Sequence, residues 1–179
     1  MFIRAKWLAV SLFVVLLAAA GAAPTPVPGG ANGVSALSAK LGETVFNGVL
    51  RIKIVALREA TDADHAELAA RASDLTPTAD KKVLVMQSLL RNGVHDDFTD
   101  LLRYTLADKD DVSVEIPDNA LKNANIHILQ GAAGRQAGAV LVDKDFVPVK
   151  LIVQCATCGA HSGFRPVRFT VPPVTIPPQ

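Results

Sequence analysis

The stretch Leu50-Arg51-Ile52-Lys53-Ile54 sets the fold class of this chain. Its apolar residues occupy every second position, and its two cations lie between them. Successive side chains of an extended chain point to opposite faces, so this alternation is typical of a strand with one buried face. The stretch therefore predicts a β-strand whose apolar face packs against a second layer.

The same period of two recurs along the chain. Residues 112–116 and 167–171 alternate apolar with polar side chains, whereas 83–86 and 140–142 are apolar at every position. Continuous apolar runs of strand length indicate strands in the middle of a sheet or covered on both faces. We predict strands over 43–57 (with a break at Asn47-Gly48), 82–91, 99–106, 111–116, 125–129, 138–143, 147–155 and 164–171. Short strands separated by turns favour a sandwich or barrel.

One segment departs from this pattern. Residues 61–73 are rich in Ala and contain the helix-favouring residues Glu67 and Arg71, and Thr61 with Asp64 forms a sequence resembling a capping box. A short helix is therefore predicted between the first long strand and the strand over 82–91. His65 lies on this segment and is expected to be exposed.

Several of these segments together resemble a known family. They are the strand from 81–85 into Asn92-Gly93, then 104–108, 138–143 and 146–151. In this order they resemble bacterial extracytoplasmic immunoglobulin-like domains of unknown function, over residues 41–171. The resemblance implies an all-β fold, an immunoglobulin-like antiparallel β-sandwich, here with one short helical insert. It implies no catalytic residues, and the helical insert and the cysteine pair depart from the family pattern.

The first residues follow the pattern of an export signal. Basic Arg4 and Lys6 precede an apolar run over 7–20, and small residues follow at 20–23. This order predicts a cleavable signal peptide at 1–22 and an extracytoplasmic location, periplasmic or secreted. The alternative is an uncleaved anchor, for which the run is short of the roughly 20 residues that a spanning helix needs.

Composition divides the remaining chain into three parts. We expect a flexible linker at 23–38, rich in Pro, Gly and Ala, the β-sandwich domain at 39–171, and a Pro-rich tail at 172–179. Loss of the leader would remove two cations and change the formal charge from +1 to about −1. A nearly neutral domain does not favour nucleic acid as a partner. The expected partner is an unknown protein or a cell-envelope component, with no membrane span after leader cleavage.

The two cysteines form the one motif in the sequence that could carry out redox chemistry or bind a metal. Cys155 and Cys158 lie between two predicted strands, and His161 follows them. Outside the cytoplasm the pair can form a structural disulfide. A redox-active dithiol is a second interpretation, which would need a nearby cation or helix N-terminus to lower the thiol pKa. A metal site is the third, with His161 as the third ligand and His65, His95 or His127 as the fourth.

Other polar clusters are interpreted as surface features. Asp108, Asp110 and Asp111 lack the glycine and glutamate of a calcium loop. His95 lies beside two aspartates, but no nucleophile motif accompanies it. We therefore predict neither catalytic nor cofactor-binding residues, and a non-enzymatic module with a binding or structural role. The alternative is a periplasmic thiol-redox or metal-binding protein that uses Cys155, Cys158 and His161.

Overall fold

A computed structural model describes residues 36–69, 75–159 and 161–172 of the chain. The predicted signal peptide, nearly all of the predicted linker and most of the Pro-rich tail lie outside these ranges. Within them the protein forms nine strands and one α-helix. The strands are β1 Leu37–Lys40, β2 Thr44–Phe46, β3 Leu50–Glu59, β4 Lys81–Asn92, β5 Leu102–Ala107, β6 Ser113–Glu115, β7 Ala133–Asp143, β8 Lys150–Cys155 and β9 Val167–Thr170, and the helix is α1 Asp62–Ala69.

The strands form two sheets. One has five strands in the order β1-β9-β8-β5-β6, and the other has four in the order β2-β3-β4-β7. The pairing of β1 with β9 is parallel, and the other pairings between these strands are antiparallel. The predicted β-sandwich with mostly antiparallel strands is confirmed.

The alternation in β3 behaves as the sequence predicts. Leu50, Ile52 and Ile54 are fully buried, whereas Arg51 is exposed. Full burial of one such aliphatic side chain contributes roughly 1.5–3 kcal/mol to stability. The largest fully buried side chains in the core are aromatic: Tyr104, Phe98 and Phe169.

The predicted helical insert is also confirmed. The Asp64 carboxylate accepts a hydrogen bond from the backbone N–H of Thr61 at 2.8 Å, and Arg58 donates two to the same carboxylate. Buried Leu68 on α1 packs with Leu75 and with β4 residues in a small second apolar cluster. The insert therefore covers part of the four-stranded sheet.

Two strand predictions need correction. The structure adds β1, whose first two residues fall within the range predicted as linker. Residues 125–129 form no strand; there Ile128 makes a single isolated bridge with Phe98. The predicted break at Asn47-Gly48 is confirmed, since β2 ends at Phe46 and β3 begins at Leu50. No helix within the described ranges is long and apolar enough to cross a membrane.

Candidate functional site

The cysteine pair lies where β8 ends. Cys155 is the last residue of β8 and is bonded to Cys158, with 5.6 Å between their Cα atoms. Both residues are half-buried and contact the core. In the described chain the pair is therefore a disulfide that closes the start of the β8–β9 loop.

This loop is hydrogen-bonded to the segment that leads into β5. Ala156 N donates to Leu101 O at 2.8 Å, and Leu101 N donates to the Thr157 hydroxyl at 2.9 Å. The same hydroxyl donates to Oδ1 of Asp100 at 3.3 Å. These contacts continue the β5–β8 pairing past its end, at Leu102 and Cys155.

Asp100 also holds His161. Oδ2 of Asp100 lies 2.6 Å from Nδ1 of His161, and the two side chains are 12% and 8% exposed. Because a carboxylate can only accept, the imidazole proton is assigned to Nδ1. The His161 ring packs against Phe98 at 5.4 Å between centroids. Its Nε2 has no hydrogen-bond partner among the described residues, so the bond from Nδ1 to Asp100 and the packing against Phe98 hold the ring.

The sulfurs face a carboxylate that the sequence did not suggest. A carboxylate oxygen of Asp100 and both sulfurs lie within 4.8 Å of one another. Of the three ligands predicted for a metal, this group contains Cys155 and Cys158 but not His161, which contacts Asp100 instead. A negative charge at this position disfavours a thiolate, the opposite of what activates a redox cysteine.

The other histidines proposed as a fourth ligand lie elsewhere. His127 Nε2 is 3.0 Å from Asp97 Oδ2, and His95 Nδ1 is 2.9 Å from the side-chain amide of Gln130. His65 lies on α1. Within the described ranges none of the three joins the group of Asp100 and the two sulfurs.

A buried asparagine fixes the far side of the β8–β9 loop. Asn47 is fully buried, and its side-chain Nδ2 donates to the backbone carbonyl of Arg165 at 3.0 Å. The backbone carbonyl of Asn47 accepts a hydrogen bond from Arg165 N at 2.9 Å. Gly48 follows with φ +103°, and a Cβ there would overlap the carbonyl oxygen of Gly163. The β2–β3 turn and the loop therefore fit only with glycine at position 48.

A polar group inside the sandwich joins the two sheets. Tyr104 on β5 donates its hydroxyl proton to Gln136 Oε1 on β7 at 2.6 Å, and Ser88 on β4 lies 3.1 Å from the same hydroxyl. Burial raises the pKa of Tyr104 above its ordinary value. All three side chains are buried, so the network ties the sheets together.

The aspartates of the hairpin between β5 and β6 are bonded to the backbone of the hairpin and to Lys150 on β8. Oδ1 of Asp108 accepts from the backbone N–H groups of Asp110 and Val112, each at 2.9 Å. Asp111 lies 2.8 Å from the Lys150 ammonium. These contacts support the interpretation of the aspartates as a hairpin tip.

Comparisons with known proteins bear on the fold alone. No protein-family model matches the chain, and no curated protein matches it. The secreted protein MPT63 from Mycobacterium tuberculosis is 13% identical over 76% of this chain and 98% of that chain, with a TM-score of 0.50. An uncharacterised β-sandwich protein from Clostridium difficile is 10% identical over 76% of this chain and 95% of that chain, with a TM-score of 0.47. This chain therefore has a β-sandwich fold similar to that of MPT63.

Proposed function

We propose that the chain is an exported immunoglobulin-like module that acts by binding a protein or cell-envelope partner, or by structural support, rather than by catalysis. The observation that carries this proposal is that the polar side chains around the disulfide form hydrogen bonds within the protein. Asp100 bonds to His161 and Thr157, and Asn47 bonds to the backbone of the β8–β9 loop. These polar side chains, which in an enzyme could act on a substrate, are bonded to other parts of the protein and stabilise its fold.

The order of the strands supports the immunoglobulin-like part of the proposal. Immunoglobulin domains pair strands A, B and E in one sheet and C, F and G in the other. Here β3, β4 and β7 are neighbours in one sheet, and β5, β8 and β9 are neighbours in the other. With β3 as A, these pairings and their chain order match the immunoglobulin arrangement. Strand D has no counterpart among the described residues, where a 3₁₀ turn at Asp118–Ala120 lies between β6 and β7.

The disulfide acts in this proposal as a local staple. It joins residues that are three positions apart, so it removes little entropy from the unfolded chain and contributes near the low end of about 2–4 kcal/mol. The neighbouring Asp100 carboxylate favours the bonded form over a thiolate. The cysteines therefore stabilise the loop that Thr157 and His161 anchor.

Export is supported by the leader pattern at 1–22 and by the disulfide, which is compatible with an oxidising compartment. The similarity of fold to MPT63, a secreted protein, adds to this support. The experiment is expression of the full chain with fractionation of the cells and N-terminal sequencing of the exported product. We expect a processed chain that begins near Ala23 outside the cytoplasm. The matched control is Leu12→Arg, which places a charge in the apolar run and should hold the chain unprocessed. Unprocessed wild-type protein in the cytoplasm would contradict the proposal.

A further inference from the structure

We propose that Cys155, Cys158 and Asp100 form a zinc-binding site when the disulfide is reduced, with His161 as the residue that positions Asp100. This site goes beyond the proposed function and does not depend on which partner the module binds. Its basis is the convergence of two sulfurs and one carboxylate oxygen within 4.8 Å.

The donor set suits zinc. Zinc binds thiolate sulfur, imidazole nitrogen and carboxylate oxygen in tetrahedral geometry, and two cysteines separated by two residues are the usual spacing for a sulfur pair. Cys155 and Cys158 have this spacing. With Asp100 they provide three ligands, and the half-burial of all three leaves the fourth position to water.

The negative charges of the reduced site favour the binding of a divalent cation between the two cysteines and Asp100. Two thiolates beside the Asp100 carboxylate would gather three negative charges at one end of the sandwich. Without a cation that repulsion favours the disulfide or the neutral thiols. Zinc offsets it and closes the same loop that the disulfide closes, so the loop keeps a cross-link in both redox states.

The chemistry balances with a dithiol as the reductant. The dithiol gives two electrons and two protons to the Cys155–Cys158 bond and becomes a disulfide itself, which leaves two thiols on the protein. Binding of Zn²⁺ then forms two Zn–S bonds and releases the two thiol protons. In the reverse direction a disulfide of the same class takes two electrons from the two zinc-bound thiolates and two protons from solvent and becomes a dithiol, while the Cys155–Cys158 bond forms again and Zn²⁺ is released.

His161 is the positioning residue in this arrangement. Carboxylates that bind a metal are themselves held by hydrogen bonds, and loss of such a partner lowers metal affinity about 10- to 100-fold. His161 donates to Oδ2 of Asp100 while both side chains are nearly buried. Because the bond fixes the carboxylate, removal of the imidazole should weaken zinc binding without removing a sulfur ligand.

The test compares the reduced and oxidised full chain as purified from cells, with Zn²⁺ and Co²⁺ as the probes. We expect one Zn²⁺ per reduced chain, sulfur-to-cobalt charge-transfer absorption, and no binding by the oxidised protein. Asp100→Asn should lower the affinity at least about tenfold. His161→Phe, which keeps a ring against Phe98, should lower it about 10- to 100-fold and retain the charge-transfer bands.

The matched control is Asp97→Asn, because Asp97 forms a similar aspartate–histidine pair with His127 at a distance from the sulfurs. It should leave the affinity unchanged. The proposal is overturned if the reduced wild type binds no more tightly than Cys155→Ser/Cys158→Ser, or if Asp100→Asn binds as tightly as the wild type. If a variant fails to fold, zinc-edge X-ray absorption on the reduced wild type still tests the site. Two sulfur neighbours with lighter atoms support the site, and four sulfurs would overturn it in favour of metal bridging two copies.

Discussion

Nδ1 of His161 lies 2.6 Å from Oδ2 of Asp100, which joins the β8–β9 loop to the residue that precedes β5 by two positions. Both side chains are nearly buried. The bond lies beside the disulfide, so the loop is fixed by a covalent bond and by an aspartate–histidine pair at adjacent points.

Asp100→Asn should therefore destabilise the protein more than Asp97→Asn. Loss of a charge-assisted bond at a nearly buried pair costs about 1–3 kcal/mol, whereas an exposed pair contributes roughly 0–1 kcal/mol. The Asp97 and His127 side chains are 44% and 58% exposed. Urea unfolding of both variants measures the difference, and equal losses would show that the His161 contact does not hold the loop.

Tyr104→Phe should lower the free energy of unfolding by about 1–3 kcal/mol, because it leaves buried Ser88 and Gln136 without their shared partner. The expected loss is larger than that of an exposed substitution such as Leu129→Ala. Chemical denaturation of the two variants checks the order. A Tyr104→Phe variant as stable as the wild type would mean that the network does not join the sheets.

Alkaline titration should show the burial of the same phenol. Tyr104 is the one tyrosine of the sequence, so phenolate absorbance reports on it alone. Burial raises its pKa in the folded protein, while an unfolded tyrosine ionises near pH ~10. Stability therefore falls as the pH rises above about 10. We expect phenolate absorbance to appear together with loss of the circular dichroism signal, and ionisation of the folded protein before unfolding would contradict this.

Asp64 makes the stability of the protein depend on pH at the acid end, where its carboxylate becomes protonated. Its pKa is lowered chiefly by the hydrogen bond from Arg58, with further bonds from Thr61. A lowered folded pKa stabilises the protein above the unfolded value of about 3.9, and that stabilisation is lost as the pH falls through the folded value. Thermal melts of Asp64→Asn should show a smaller loss of stability below pH ~4 than the wild type. Parallel profiles would contradict the prediction.

Gly48→Ala should destabilise the protein more than Gly42→Ala. Both glycines have positive φ, at +103° and +86°, so both variants carry backbone strain of about 1–3 kcal/mol. A methyl group at position 48 additionally overlaps Gly163 O, whereas position 42 opens to free space. Denaturation of the two variants isolates the steric part, and equal losses would show that the β2–β3 turn does not abut the β8–β9 loop.

Periodicity in the sequence predicted which faces are buried better than it predicted hydrogen-bond partners. In 125–129 the alternation is real, since Ile126 and Ile128 are buried and His127 is exposed. Nevertheless the backbone there pairs at a single bridge with Phe98. An alternating segment can satisfy its apolar face without joining a sheet, so the strand prediction failed where the burial pattern held.

The pairing of β1 and the role of Asp100 could not be predicted, because their partners lie far away in the sequence. β1 is short and contains Ser38 and Ala39, and it becomes a strand by pairing with β9, about 130 residues later. Asp100 lies 55 residues before Cys155, and nothing in its own neighbourhood marks it as a partner of the cysteines. The register that places Leu102 opposite Cys155 brings them together. A correct strand pairing was the one signal that could have identified Asp100.

The most direct test of the account is peptide mapping of the purified wild-type protein by mass spectrometry without reduction, after alkylation of free thiols. We predict one linked species in which Cys155 and Cys158 carry no alkyl group and lose the mass of two hydrogens relative to the reduced peptide. Alkylation of both cysteines in this protein, or a bond from either one to a second copy, would contradict the local staple.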